Sequence, residues 1–130
     1  MDQGLAGKVM VILSRHIGEE KAVSMGELYE RVYGKAWKNK INDTRPLRKV
    51  ITELRYSGAL IGETRSSAGG GYFLARSVHE LNRFFDKRKR EALRKLLMVA
   101  RMQRVGLPEL LGQMQLSLRG KAAGGGNERA

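Results

Sequence analysis

The stretch RPLRKVITELRYSGALIGETRSSAGGGYFLA (residues 45–75) decides the fold. Leu47, Val50, Ile51 and Leu54 fall at i, i+3, i+4 and i+7, which draws one apolar stripe along a helix. Pro46 suits a first helical turn, where its missing amide costs nothing, so this helix is expected to start near Thr44. Ser57-Gly58 supplies the stop. Ala59 to Glu63 then reads as a short strand, Thr64 to Gly70 as a loop and Gly71 to Ala75 as the return strand. Tyr72 and Leu74 fall on one face of that strand and Phe73 on the other.

Upstream, Leu5, Val9, Ile12 and Leu13 recur at helical spacing, which predicts a first helix over about residues 4–17, ended by Gly18. Ser24-Met25-Gly26-Glu27 is a capping box, with Glu27 reaching back to the Ser24 amide and Val23 and Leu28 placed as a hydrophobic staple. The helix it opens runs from about Met25 to Tyr33 and stops at Gly34. Residues 35–43, KAWKNKIND, fit a long turn, a short strand or a further helical turn, with Trp37 and Ile41 as apolar pegs. Downstream, a helical pattern runs from about Val78 to Gly106-Leu107-Pro108, about 27 residues or ~40 Å at helical rise. Pro108 to Leu118 reads as one more short helix, and the glycine-rich end from Gly120 as a disordered tail. The expected organisation is a domain over 1–77, a helical extension over 78–118 and a tail over 119–130. The fold class is mainly α with a small β-hairpin.

The formal charge is +12 on 130 residues, and it is segregated. Residues 1–30 carry three basic and five acidic side chains, residues 31–65 nine and three, and residues 66–104 ten and three. Such a balance points to a polyanionic partner. With the apolar stripe turned inward, the helix after Thr44 presents Arg45, Arg48, Lys49, Thr52 and Arg55 outward, with Asn42 and Thr44 at its start. Arg pairs bidentately with guanine and Asn with adenine, while Lys and Thr mostly hold phosphates. Arg45, Arg48 and Thr52 are therefore expected near bases, and Lys49 and Arg55 near the backbone. Lys38 and Lys40 add charge upstream, and Arg65, Ser66 and Ser67 sit at the tip of the hairpin. Glu53 and Glu63 count against this surface unless they pair or face away.

The segment LRKVITELRYSGALIGETRSSAGGGYFLA (47–75) resembles the winged helix-turn-helix modules of the biotin operon repressor and of WYL-type transcriptional regulators, and small winged-helix proteins of phages and prophages. The matching positions are Leu54, Gly58, Ile61, Gly70, Gly71, Tyr72 and Leu74. The resemblance spans about residues 5–77. It implies double-stranded DNA as partner, held by the third helix over residues 44–55 and by a wing over 65–68. It further implies a small cytoplasmic, nucleoid-associated transcriptional regulator. The chain departs from those families after the hairpin, where a long helix stands in place of a ligase or ligand-sensing domain.

That long helix carries Lys87, Arg88, Lys89 and Arg90 beside an apolar face that includes Leu81, Phe85, Ala92, Leu96 and Val99. A mixture is expected there: the first turns pack on the helix's own domain and the rest forms a homodimer interface. A partner protein in that groove, and contact with nucleic acid or an anionic membrane, are the other readings. Two other functions stay open for the whole chain: a winged-helix protein-interaction module, and a binder of RNA or single-stranded DNA using Trp37 and Tyr56. No enzyme, metal or cofactor is expected. There is no Cys, His16 and His79 stand alone, and Gly69-Gly70-Gly71 lacks the Lys-Ser/Thr of a phosphate loop. No stretch approaches the ~20 apolar residues of a membrane span, and the first residues lack a basic leader, so no membrane partner or signal peptide is expected.

Overall fold

The computed structural model describes residues 2–65 and 70–125. Its elements in chain order are α1 (Gln3–Leu13), α2 (Met25–Tyr33), α3 (Lys40–Tyr56), β1 (Ile61–Thr64), β2 (Gly71–Leu74), α4 (Asn82–Gln103) and α5 (Leu107–Gly125), with single 3-10 turns at Glu19–Lys21 and Val78–Leu81. The chain forms two compact units, Met1–Phe85 and Asp86–Ala130. The protein is thus mainly helical with one small antiparallel sheet. Among the described residues, no helix is long and apolar enough to cross a membrane.

In the first unit, β2 is the inner strand. β1 pairs with it antiparallel, from Ile61 opposite Leu74 to Thr64 opposite Gly71. On its other edge Leu74 donates to the carbonyl of His16 (3.0 Å) and accepts from Gly18 (2.8 Å), while Tyr72 and Val23 exchange both bonds at 2.8 Å. This claim on Ile17 and Gly18 is why α1 ends at Leu13, well short of residue 17. Gly18 sits at φ 99°, where a side chain would strain the backbone. A Cβ on Gly71 would lie 2.7 Å from the Val23 carbonyl oxygen, so glycine is required for that approach.

The sheet is packed on both faces. Ile61, Tyr72 and Leu74 join the core formed with Val9, Leu13, Val23, Leu28, Leu47 and Ile51. Phe73 turns the other way, over Gly62, where an added Cβ would meet Phe73 Cζ at 2.5 Å and Leu81 Cδ2 at 2.7 Å. Leu81 is therefore buried inside this unit and unavailable as a dimer contact. The unit extends to Phe85, past the expected limit at residue 77, because this second small cluster recruits the turn before α4. Phe85 is half-buried, with its ring 6.0 Å from Phe84.

The Ser24 hydroxyl accepts from the Glu27 amide at 3.1 Å, as its cap position demands. The Glu27 carboxylate turns to Arg31 (2.7 Å) instead of back to the Ser24 amide. Gly34 closes α2 in the left-handed conformation at φ 74°. Trp37 lies half-buried on α2, edge-on to Tyr29 at 6.3 Å, and Gly26 leaves the room: a Cβ there would be 3.1 Å from the indole. Its ring is thereby a packing element of this unit.

In the second unit, α4 ends with Arg104 in the left-handed conformation (φ 61°), and the Val105 amide closes onto the Ala100 carbonyl at 3.0 Å. Pro108 sits in the first turn of α5. That helix continues through Gly125, beyond the expected start of a disordered tail at 119, since Leu118, Arg119, Lys121, Ala122 and Ala123 are good helix formers on both sides of Gly120. Residues 126–130 lie outside the described residues. Ala100 and Leu110 are the buried positions described in this unit.

The close seat of Phe73 and Leu81 over Gly62 has a measurable cost. Gly62→Ala is expected to lower stability by about 1–3 kcal/mol, read from urea unfolding of the full chain.

Candidate nucleic-acid interface

The start of α3 is set by side chains that cap it. Asn39 Oδ1 accepts from the amides of Ile41 (3.1 Å) and Asn42 (3.0 Å), and Asp43 Oδ2 accepts from those of Lys38 (2.8 Å) and Asn39 (3.0 Å). These bonds start the helix at Lys40, four residues before the position that Pro46 suggests. Pro46 consequently lies in the second turn, inside the helix. The bonds from the Asn39 and Lys38 amides hold the Asp43 carboxyl below the usual carboxylate range. Capping also explains an acidic group within the basic segment.

Helical spacing places Asn42, Arg45, Arg48, Lys49 and Thr52 on one face of α3, and all five are exposed. Several are held in place by their neighbours. Arg45 Nη2 donates to Asn42 Oδ1 at 3.3 Å. Arg48 Nη2 donates to the Ile41 carbonyl at 2.6 Å, and its Nε to Thr44 Oγ1 at 3.3 Å. Thr52 Oγ1 donates to the Arg48 carbonyl at 3.0 Å.

Two of the expected contact residues have other work. Thr44 is only 2% exposed; its hydroxyl donates to the Lys40 carbonyl and supports Arg48 from beneath, so it is no surface contact. Arg55 is half-buried against the hairpin, where Nε donates to the Ile61 carbonyl (2.9 Å) and Nη2 pairs with Glu63 (3.1 Å). Its guanidinium also lies 4.9 Å from the centre of the Phe84 ring. Arg55 therefore fastens α3 to β1 and to the first turn of α4. Glu63 is turned into that clamp, which partly neutralises an acidic group near the basic face.

Lys38, Lys40 and Arg65 are exposed, with the Lys40 ammonium 6.0 Å from the centre of the Trp37 ring. Among the described residues, Lys38, Lys40, Arg45, Lys49 and Arg65 pair with no carboxylate, unlike Arg31, Arg55 and Arg76. Ser66 and Ser67, expected at the hairpin tip, lie outside the described residues. Ile41, read as an apolar peg before the helix, and Tyr56, read as a stacking platform, were not placed on the α3 face, where they are 65% and 89% exposed. Both continue the spacing of Arg45, Arg48 and Thr52, a signal visible once the helix is started at Lys40. Among the described residues no cluster of His, Cys, Asp and Glu is arranged to hold a metal ion.

Because the folded state lowers the Asp43 pKa, its capping contribution is complete above the ordinary carboxylate value and is lost as pH falls through the lowered one. The backbone amide resonances of Lys38 and Asn39 should therefore titrate with a midpoint below about 3.8. Asp43→Asn should abolish that titration; a midpoint above that value would contradict the capping assignment. No protein-family model, no curated protein and no solved structure matches the chain, so its own residues carry the functional argument.

Proposed function

We propose that this chain is a winged helix-turn-helix protein that binds duplex DNA in a sequence-dependent manner, as a small transcriptional regulator. The observation that carries this reading is the outward face of α3. It offers an amide, guanidinium groups, an ammonium and a hydroxyl on a helix anchored from behind by Leu47, Val50, Ile51 and Leu54. From Asn42 to Thr52 the face runs about 15 Å, a length suited to lying in a major groove about 12 Å wide. The order α1, α2, α3, hairpin supports the fold reading, as does the edge segment between α1 and α2 that pairs with β2.

Within this reading Asn42 and Arg45 address base edges, and Ile41 offers an apolar contact for a thymine methyl group. Lys38, Lys40 and Lys49 hold phosphates, and Arg65 does so from the wing. Arg48, partly occupied by the Ile41 carbonyl, keeps one face of its guanidinium for the same groove. Thr44 and Arg55 act as supports. Trp37, engaged with α2, offers no platform for splayed bases, which leaves exposed Tyr56 as the remaining stacking candidate of the single-stranded or RNA reading among the described residues.

The protein is proposed to act as a homodimer through its C-terminal helices. Leu93, Val99, Met102, Leu111 and Met114 are exposed there, beside exposed Ala92 and half-buried Leu96. Such apolar exposure is more than a unit with this little core of its own needs.

Gel shifts with duplex, single-stranded and RNA probes at two salt concentrations test the main reading. Duplex preference is expected, and Arg45→Ala should weaken a selected duplex site roughly 5–150-fold, the range for one lost bidentate base contact, with the fold intact. Absence of duplex binding at ~150 mM salt would overturn it in favour of a protein-interaction module, for which exposed Ile41 and Tyr56 would serve. For the dimer, sedimentation should give twice the chain mass, and Val99→Glu with Leu96→Glu should reduce it to the chain mass.

A further inference from the structure

We propose that α4 carries a second nucleic-acid surface, a line of cations that holds the phosphodiester backbone of duplex without reading sequence. At 100° per residue, Lys87, Arg90, Arg94 and Arg101 fall within an arc of about 60° on the helix, and the line is about 21 Å long. All four side chains are exposed. Among the described residues none of the four has a carboxylate partner, and Asp86 and Glu91 lie to either side of the line.

This charge exceeds what solubility or helix formation requires. From Asp86 to Arg101 there are seven basic and two acidic side chains. Lys and Arg are no better helix formers than Glu or Gln, and although Asp86 and Glu91 stand four residues from Arg90 and Lys87, neither forms an ion pair with that neighbour among the described residues. A single-sign line instead repels itself, at Arg90 and Arg94 most directly, and a polyanion relieves that repulsion. The line holds no aromatic side chain on which a base could stack and no Asn or Gln to read one. Its chemistry thus fits the sugar-phosphate backbone of duplex and not exposed bases. An anionic bilayer could also meet such a line, because Leu93, Met98 and Met102 are exposed on the same helix, and vesicle binding separates the two. The surface lies outside α3, so it stands or falls separately from base reading by that helix.

The test is fluorescence anisotropy of the full chain with a random-sequence 30-base-pair duplex across 50–300 mM NaCl. It compares wild type with the variant Lys87→Gln, Arg90→Gln, Arg94→Gln, Arg101→Gln, in which glutamine preserves helix propensity; circular dichroism verifies that. The salt slope should become shallower by about 3–4 and the affinity should fall at least tenfold at 100 mM NaCl, as counterion release for four phosphate contacts requires. Arg45→Ala should change preference among sequences and leave most random-duplex affinity in place. An unchanged slope and affinity in the glutamine variant would overturn the proposal. So would loss of binding to phosphatidylserine vesicles with duplex binding intact. If Arg45→Ala alters no preference while the glutamine variant loses duplex, base reading by α3 fails and the line on α4 stands.

Discussion

The two-sided pairing of β2 is the constraint on which the first unit depends. One edge takes the nearby strand β1, and the other takes residues 16–23 from more than forty positions earlier in the chain. Each of these unions is short, and a lone two-stranded hairpin of this length would be marginal in water. Joined, they draw the end of α1, the entry to α2 and the hairpin together. Ile61, Tyr72 and Leu74 then close the helical core from below, while Phe73 gathers Gly62 and Leu81 on the opposite face. The position of α3 follows, because Leu47, Ile51 and Leu54 pack into the core that this sheet completes.

The charged groups divide by whether the fold already uses them. Arg55 joins α3 to β1 through a carbonyl, a carboxylate and a ring, and Arg76 joins residue 20 to the turn before α4 through Glu20 and Glu80. The Glu20 carboxyl is held below its ordinary range by the hydrogen bond from Arg76. Both partners of that pair are more than half exposed, so its contribution is chiefly one of position, with little net stability. Among the described residues, cations outside such pairs include Arg45 and Lys49 on the α3 face, Arg65, and Lys87, Arg90, Arg94 and Arg101 on α4. Positive charge that the fold does not consume is the electrostatic signature on which the functional reading rests.

Much of this was legible in the amino-acid sequence, and the exceptions share a physical cause. The stripe of Leu47, Val50, Ile51 and Leu54, the Ser24 cap and the hairpin are local patterns, so their periods reveal them. Ile17 matches the helical period of α1 but belongs to a pairing whose partner lies far along the chain. Arg55 looks outward by spacing alone; only its contacts with the Ile61 carbonyl and Glu63 turn it inward. Pro46 suggests a helix start, but four capping bonds from Asn39 and Asp43 outweigh the single bond a proline forfeits. Thr44 was read as surface, and Leu81 as an interface position, because what buries each of them depends on neighbours that no short window contains.

The caps on α3 carry one more consequence. Helix N-termini commonly offer unsatisfied amides as a ready cradle for anions. Here the amides of Ile41 and Asn42 are already spoken for by Asn39, and Asp43 places a carboxylate beside them. In the proposed DNA-binding reading, these amides are withdrawn from recognition, and the task falls to side chains that touch nothing in the core. Asn42, Arg45 and Lys49 can be exchanged in evolution without disturbing the residues that fold the helix. Under that reading, a helix built in this way would keep its architecture while its preference for one site over another drifts, one side chain at a time.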